Sequence, residues 1–158
     1  MAVNRGKKFE AHIRESFEKV SGVSIDRIPD QTNFYKGSQN ICDFIVYREP
    51  YEYYFECKSV HGNTLPFTNI TDTQWNGLLA KSQIQGVCAG VICWWVDHDV
   101  TKFIPIQTLQ ELKSLGYKGV RYDAGIPDYL NYTDSEYCMV EIEGKRKEYS
   151  LITIWRDF

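Results

Sequence analysis

The spacing of apolar and polar positions changes along the chain, and each change marks an element. Over residues 6–20, GKKFEAHIRESFEKV, apolar side chains fall at Phe9, Ile13, Phe17 and Val20. That spacing predicts a helix with one buried stripe, ended by Gly22. A short strand over 23–28 is expected next, then Pro29 and a loop rich in turn formers, DQTNFYKGSQN. Two apolar and aromatic runs, 42–47 and 53–57, flank a turn carrying Pro50 and predict a β-hairpin. Gly62, Asn63 and Pro66 break the pattern. A helix capped by Thr71 or Asp72 then runs to about Gln85, with Leu78, Leu79 and Ile84 inward. Residues 87–96, VCAGVICWWV, form an unbroken apolar run suited to a buried central strand. A turn at 97–99 leads to a strand over 102–106, and Thr108, three before Glu111, predicts a capping box opening a helix through Leu115. Residues 116–130 are irregular. A second hairpin is expected from 137–143 and 148–155 around a turn at 144–147.

Three charged residues interrupt the apolar first hairpin: Asp43, Glu56 and Lys58. Glu56 and Lys58 are two apart, so an extended strand projects them from one face, about 7 Å apart. Asp43 joins that face only if opposed residue numbers sum to an odd constant. A two- or four-residue turn, or a bulge, meets the condition; a plain three-residue turn does not. Two carboxylates and an ammonium gathered in this way suit phosphodiester hydrolysis. The acids can hold a hard cation such as magnesium, and the lysine can orient water or take up charge developing on phosphorus. The alternative is a set of solvated strand charges. Gln74, in the first turn of its helix, can reach back toward Lys58, and Glu10 looks toward the edge of the core. Arg5, Lys7 and Lys8 cluster at a helix start, where the dipole disfavours cations, so solvent or a phosphate must compensate them. His61 is isolated, and His12 and His98 show no metal spacing.

The 158-residue length suits one domain with a real core, residues 1–158. A net charge of −3 gives no global basic field, which argues against a nonspecific DNA binder but leaves room for a local basic patch. The five cysteines include no CxxC pair and lie mostly in apolar runs, as expected of buried free thiols in a reducing cytoplasm. With no signal peptide and no long apolar run, a soluble cytoplasmic protein without membrane contact is expected.

The order helix, three strands, helix, strand, with an acid on the second strand and Glu-x-Lys on the third, resembles the PD-(D/E)xK nuclease superfamily. Within it the chain is similar to RecU-type Holliday junction resolvases, especially short phage-like ones. The likeness rests on NRGKKFE (4–10), CDFIVY (42–47), FECKS (55–59) and LPFTNITDTQ (65–74), and covers roughly residues 4–110. It implies an α/β, restriction-endonuclease-like core, αβββαβ, with a mixed sheet flanked by helices. It also implies catalytic roles for Asp43, Glu56, Lys58, Gln74 and Glu10. The metal, Mg2+ with Mn2+ as a substitute, would be held by Asp43, Glu56 and the main-chain carbonyl of Cys57. The family's basic N-terminal segment falls on Arg5, Lys7 and Lys8, and Lys36 lies in the loop before Asp43. The implied assembly is a homodimer on branched DNA, a four-way junction, in recombination and repair, with a recombinase as a further partner.

The chain departs from the family at two places. Cys42 stands where a proline usually precedes the first catalytic acid, a change the RecU branch tolerates. Cellular RecU proteins carry a long stalk between the first two strands, and only the short segment 30–40 is available here, which opens the substrate to broader branched DNA. Two other classes remain at this point: a noncatalytic nucleic-acid or recombinase-binding module on the same fold, and a β-rich interaction domain whose acids and lysine never converge.

Overall fold

The computed structural model describes residues 4–29, 40–124, 140–145 and 148–150. Lys36 and Tyr35, Cys138, and the irregular stretch from 125 onward therefore lie outside the described residues, as do residues 137–139 and 151–155 of the expected second hairpin.

Helix α1 (Arg5–Glu18) forms on the predicted stripe. Phe9, Ile13 and Phe17 are fully buried, and the Asn4 side chain caps the helix by accepting the Lys7 N–H. Val20 falls beyond the helix, after its last turn. Strands β1 (Ser24–Arg27), β2 (Phe44–Arg48) and β3 (Tyr51–Val60) then run antiparallel in sequence. The next stretch holds β4 (Thr64–Pro66), a single 3-10 turn (Phe67–Asn69) and α2 (Asp72–Ser82). It is the crossover that lets β5 (Val87–Trp95) pair parallel to β3. β6 (Val100–Pro105) returns antiparallel, α3 (Ile106–Ser114) follows, and β7 (Gly119–Arg121) pairs with β4.

The main sheet has the order β1-β2-β3-β5-β6-β8, where β8 (Val140–Glu141) adds a short edge beside β6. β3 and β5 are central, which explains why both read as nearly continuous apolar runs. One face packs on α1 through Phe44, Val46, Tyr53, Phe55, Cys57, Ile92 and Phe103. The other packs on α2 and α3 through Tyr54, Val60, Ala89, Val91, Trp95 and Ile104. Along β3 the odd positions thus face α1 and the even positions face α2, so Glu56 and Lys58 share the α2 side.

Several expectations are corrected. α2 ends at Ser82 and Ile84 is exposed, because the chain turns at Gly86, whose φ of 81° lies in the left-handed region. Thr108 opens no helix. α3 begins two residues earlier, after Pro105, because Ile106 and Leu109 both bury against the sheet, and Thr108 lies buried inside the first turn. The irregular region contains β7. The last hairpin pairs β9 (Glu143–Lys145) with β10 (Glu148–Ser150), while Val140–Glu141 belongs to the main sheet. Cys42, Cys57, Cys88 and Cys93 are buried free thiols, as expected. No helix of the described residues is long and apolar enough to cross a membrane.

Candidate active site

The first hairpin closes through two residues, Glu49 and Pro50, and pairs Phe44 with Phe55 and Val46 with Tyr53. Opposed numbers therefore sum to an odd constant, the condition under which Asp43 meets Glu56 and Lys58. Asp43 sits immediately before β2. Its N–H donates to the Phe55 carbonyl (3.0 Å) and its own carbonyl accepts the Ile28 N–H (2.8 Å), which pins the backbone. Its Oδ2 accepts the Cys57 N–H at 2.8 Å. β2 has no residue left to pair with Cys57, so the carboxylate takes the place of a ladder acceptor. The Asp43 and Glu56 carboxyls lie close enough for the Asp43 charge to raise the Glu56 carboxyl.

Glu56 is 4% exposed. Its Oε1 accepts from Lys58 Nζ at 2.8 Å and from Gln74 Nε2 at 2.7 Å. Gln74 is itself held by the start of α2. Thr71 Oγ1 accepts the Gln74 N–H (3.2 Å), and Gln74 Oε1 accepts both the Thr71 N–H (3.1 Å) and Lys58 Nζ (3.3 Å). This is a capping box, and its reciprocal bonds fix the amide so that Nε2 points at Glu56. The same four residues that begin the helix thus orient the side chain that reaches the sheet.

Burial pushes the Glu56 carboxyl up to about 7 from the usual 4.5, with the neighbouring Asp43 charge adding to the rise and Lys58 opposing it. Burial also raises Asp43, against the Cys57 N–H and Lys58, which favour its ionised form. Both acids therefore resist ionising together in a poorly solvated place. A donor set of two such carboxylates fits a hard divalent cation, which would add to the positive charge that Lys58 brings. Among the described residues no group of three or more His, Cys, Asp or Glu side chains gathers as a metal cluster. The Cys57 thiol itself is buried in the core facing α1, and its pKa is raised well above the ordinary value by burial. Only its main chain is available to the site.

This fold has a known counterpart. The chain is similar in structure to Hjc of Archaeoglobus fulgidus, a Holliday junction resolvase from an archaeal hyperthermophile, with a TM-score of 0.50 and 18% identity over 65% of this chain and 78% of that one. No family model matches the sequence, and no curated protein matches it. The structural likeness, with the mixed sheet flanked by helices, shows the expected α/β restriction-endonuclease-like fold.

Glu10 is on α1, across the sheet from α2, and meets Arg27 of β1 at 3.5 Å. Arg5, Lys7 and Lys8 are exposed at the start of α1. Arg5 contacts the His61 imidazole, three residues beyond Lys58, so this basic end of α1 lies at the same end of β3 as the carboxylates. The ring's Nδ1 faces Asp97 at 2.9 Å, which gives the isolated histidine a structural place. Thr71, expected as a candidate cap, is the N-cap of α2 and also fixes the functional amide of Gln74, a role not assigned from the sequence. Its signal was present, because Thr-x-x-Gln is the capping-box pattern.

Proposed function

We propose that the protein is a metal-dependent, structure-selective DNA endonuclease of the RecU type, acting as a homodimer that cuts the two opposed strands of a four-way junction. The observation that carries this reading is the convergence on one side of the sheet of Glu56, Lys58 and Gln74, hydrogen-bonded to one another, with Asp43 held beside them by the Cys57 N–H. Asp43, Glu56 and the Cys57 carbonyl would hold a magnesium ion, or manganese in its place, whose chemistry is to neutralise phosphate charge and lower the pKa of a bound water.

The chain's own groups do the rest. Lys58, held between Glu56 and Gln74, places a positive charge beside the reacting phosphate as water attacks phosphorus and the bond to the leaving oxygen breaks. Gln74 keeps Glu56 aimed. Glu10 contributes a further acid from α1. Arg5, Lys7, Lys8 and Lys36 contact DNA phosphates, which positions the substrate by shape and leaves its sequence unread. The short segment 30–40 favours a substrate range that extends to other branched DNA, and a recombinase is the partner expected in recombination.

Purified protein incubated with labelled four-way junction, Y-fork and linear duplex, with and without magnesium, tests chemistry and shape selectivity together. Cleavage is expected on branched DNA in magnesium only. Lys58→Ala should reduce it at least ~100-fold while leaving junction binding largely intact. Full activity in that variant, or function that survives chelation, refutes the reading and points to a binding module.

A further inference from the structure

A cleft of about 530 Å3 opens between the 3-10 turn, the start of α2, and the end of α3 with the segment that follows it. We infer that this cleft seats an unpaired nucleotide of the DNA strand, with its base on Tyr117 at the rim, above a buried floor of Phe67 and Trp75, and its phosphate toward Lys113 and Lys118. The inference rests on the nuclease reading and names how branched substrate is recognised.

The size lies within the roughly 300–1,000 Å3 range of small-ligand sites. Its walls are preformed. Phe67 packs edge-on against Trp75, with ring centroids 5.4 Å apart, and the Trp75 indole N–H donates to Gln110 Oε1 at 2.7 Å. Tyr117 is held by the end of α3. Gly116, at φ 92°, donates its N–H to the Lys113 carbonyl, and the Tyr117 N–H donates to the Leu112 carbonyl, both at 3.0 Å. That pair of bonds is a Schellman motif, which places the aromatic residue just past a left-handed glycine. The Lys118 carbonyl accepts the Phe67 N–H at 3.0 Å, tying the two walls together. Tyr117 nevertheless remains 49% exposed at the rim.

Charge separates the two ends. Lys113 Nζ lies 4.5 Å from the centroid of the Trp75 ring and the exposed Lys118 lines the cleft from the segment after α3, whereas Asp72 lines it from the start of α2. A phosphate is drawn to the lysines and kept off the aspartate. Aromatic faces next to cations are the general means of holding unpaired bases without regard to sequence. The cleft is linked to the carboxylates through the start of α2. Thr71 forms part of its wall and is bonded to Gln74, which is bonded to Glu56. A strand that leaves paired DNA at a branch can therefore place one nucleotide in the cleft while an adjacent phosphate meets Glu56 and Lys58. Fully paired DNA offers no free base, so the cleft adds affinity for branched or frayed substrate alone.

The test uses splayed-arm DNA carrying 2-aminopurine at the first unpaired position, and a fully paired duplex, both in chelator. Anisotropy gives affinity, and 2-aminopurine fluorescence reports stacking. The wild type should quench the probe. Tyr117→Ala should weaken binding to the splayed DNA about ten-fold and abolish the quench, and Tyr117→Phe should restore both. Lys118→Gln should lower the slope of log affinity against log salt by roughly 0.7. Duplex affinity should hardly change in the tyrosine variants. If Tyr117→Ala and Lys118→Gln bind splayed DNA as the wild type does, with the quench intact, the inference is overturned. Cleavage by the wild type alongside that result leaves the nuclease standing without the cleft. Cleft-dependent binding with no cleavage in magnesium removes the nuclease reading and keeps the cleft, and no DNA binding at all removes both.

Discussion

Replacing Glu56 by Gln separates what the buried acid does for chemistry from what it does to stability. The folded protein binds the Glu56 proton more tightly than the unfolded chain, because burial and Asp43 raise the carboxyl to about 7 from 4.5. Stability from this site is therefore fully present below about pH 4.5 and is lost as pH rises through about 7. Each pKa unit corresponds to about 1.4 kcal/mol, so at pH 8 without divalent cations the ionised acid costs the fold roughly 3 kcal/mol. Glutamine keeps the shape and the oxygen that accepts from Lys58 and Gln74, and it removes the charge. In chelator at pH 8 the variant should melt about 5–10 °C above the wild type, and near pH 4.5 the two should nearly coincide. Junction cleavage in magnesium should disappear in the same variant. Thermal melts followed by circular dichroism across pH 4.5–8 measure the first effect. A melting-temperature difference between the two proteins that stays constant over the whole range would mean that Glu56 is not a buried, proton-retaining acid.

Thr71→Ala removes the cap of α2 and the hydroxyl that fixes Gln74, so a loss of about 1 kcal/mol in urea unfolding should accompany slower junction cleavage, with Thr71→Ser restoring both. A stable Thr71→Ala protein with undiminished cleavage would show that the capping box does not orient the site. Gly90→Ala should destabilise by about 3 kcal/mol or more, since a Cβ there would lie 2.3 Å from the Ile104 carbonyl oxygen and 2.9 Å from Pro105 Cα, both backbone atoms that cannot swing away. An unchanged urea midpoint for that variant would refute the close approach of β5 to β6.

Local pattern was enough for the elements whose burial is one-sided or complete. The α1 stripe, the first hairpin and the β5 run were legible because Phe9, Ile13 and Phe17 repeat at the helical period and Val87–Trp95 has almost nothing polar to expose. Glu56 and Lys58 were equally legible, since a two-residue spacing on any strand puts both on one face. Boundaries were not. Ile84 reads as an inward helix position and Thr108 as a cap, but Gly86 turns the chain away and Pro105 starts α3 early, and only the packing of Ile106 and Leu109 on the sheet decides that.

The site was half written in the chain. Residue types and spacing supplied an acid, a Glu-x-Lys and a Thr-x-x-Gln, each an instruction about one element. Whether Asp43 met Glu56 depended on the hairpin closing through two residues, and whether Gln74 met them depended on the crossover laying the start of α2 over β3. The raised carboxyls arise at that same level, because a pKa responds to how completely water is excluded and to which charges stand nearby. The cleft lined by Phe67, Trp75 and Tyr117 brings together residues from segments remote in sequence, so no local period could announce it. Periodicity is a property of neighbours along the chain, and a site is a property of neighbours in space.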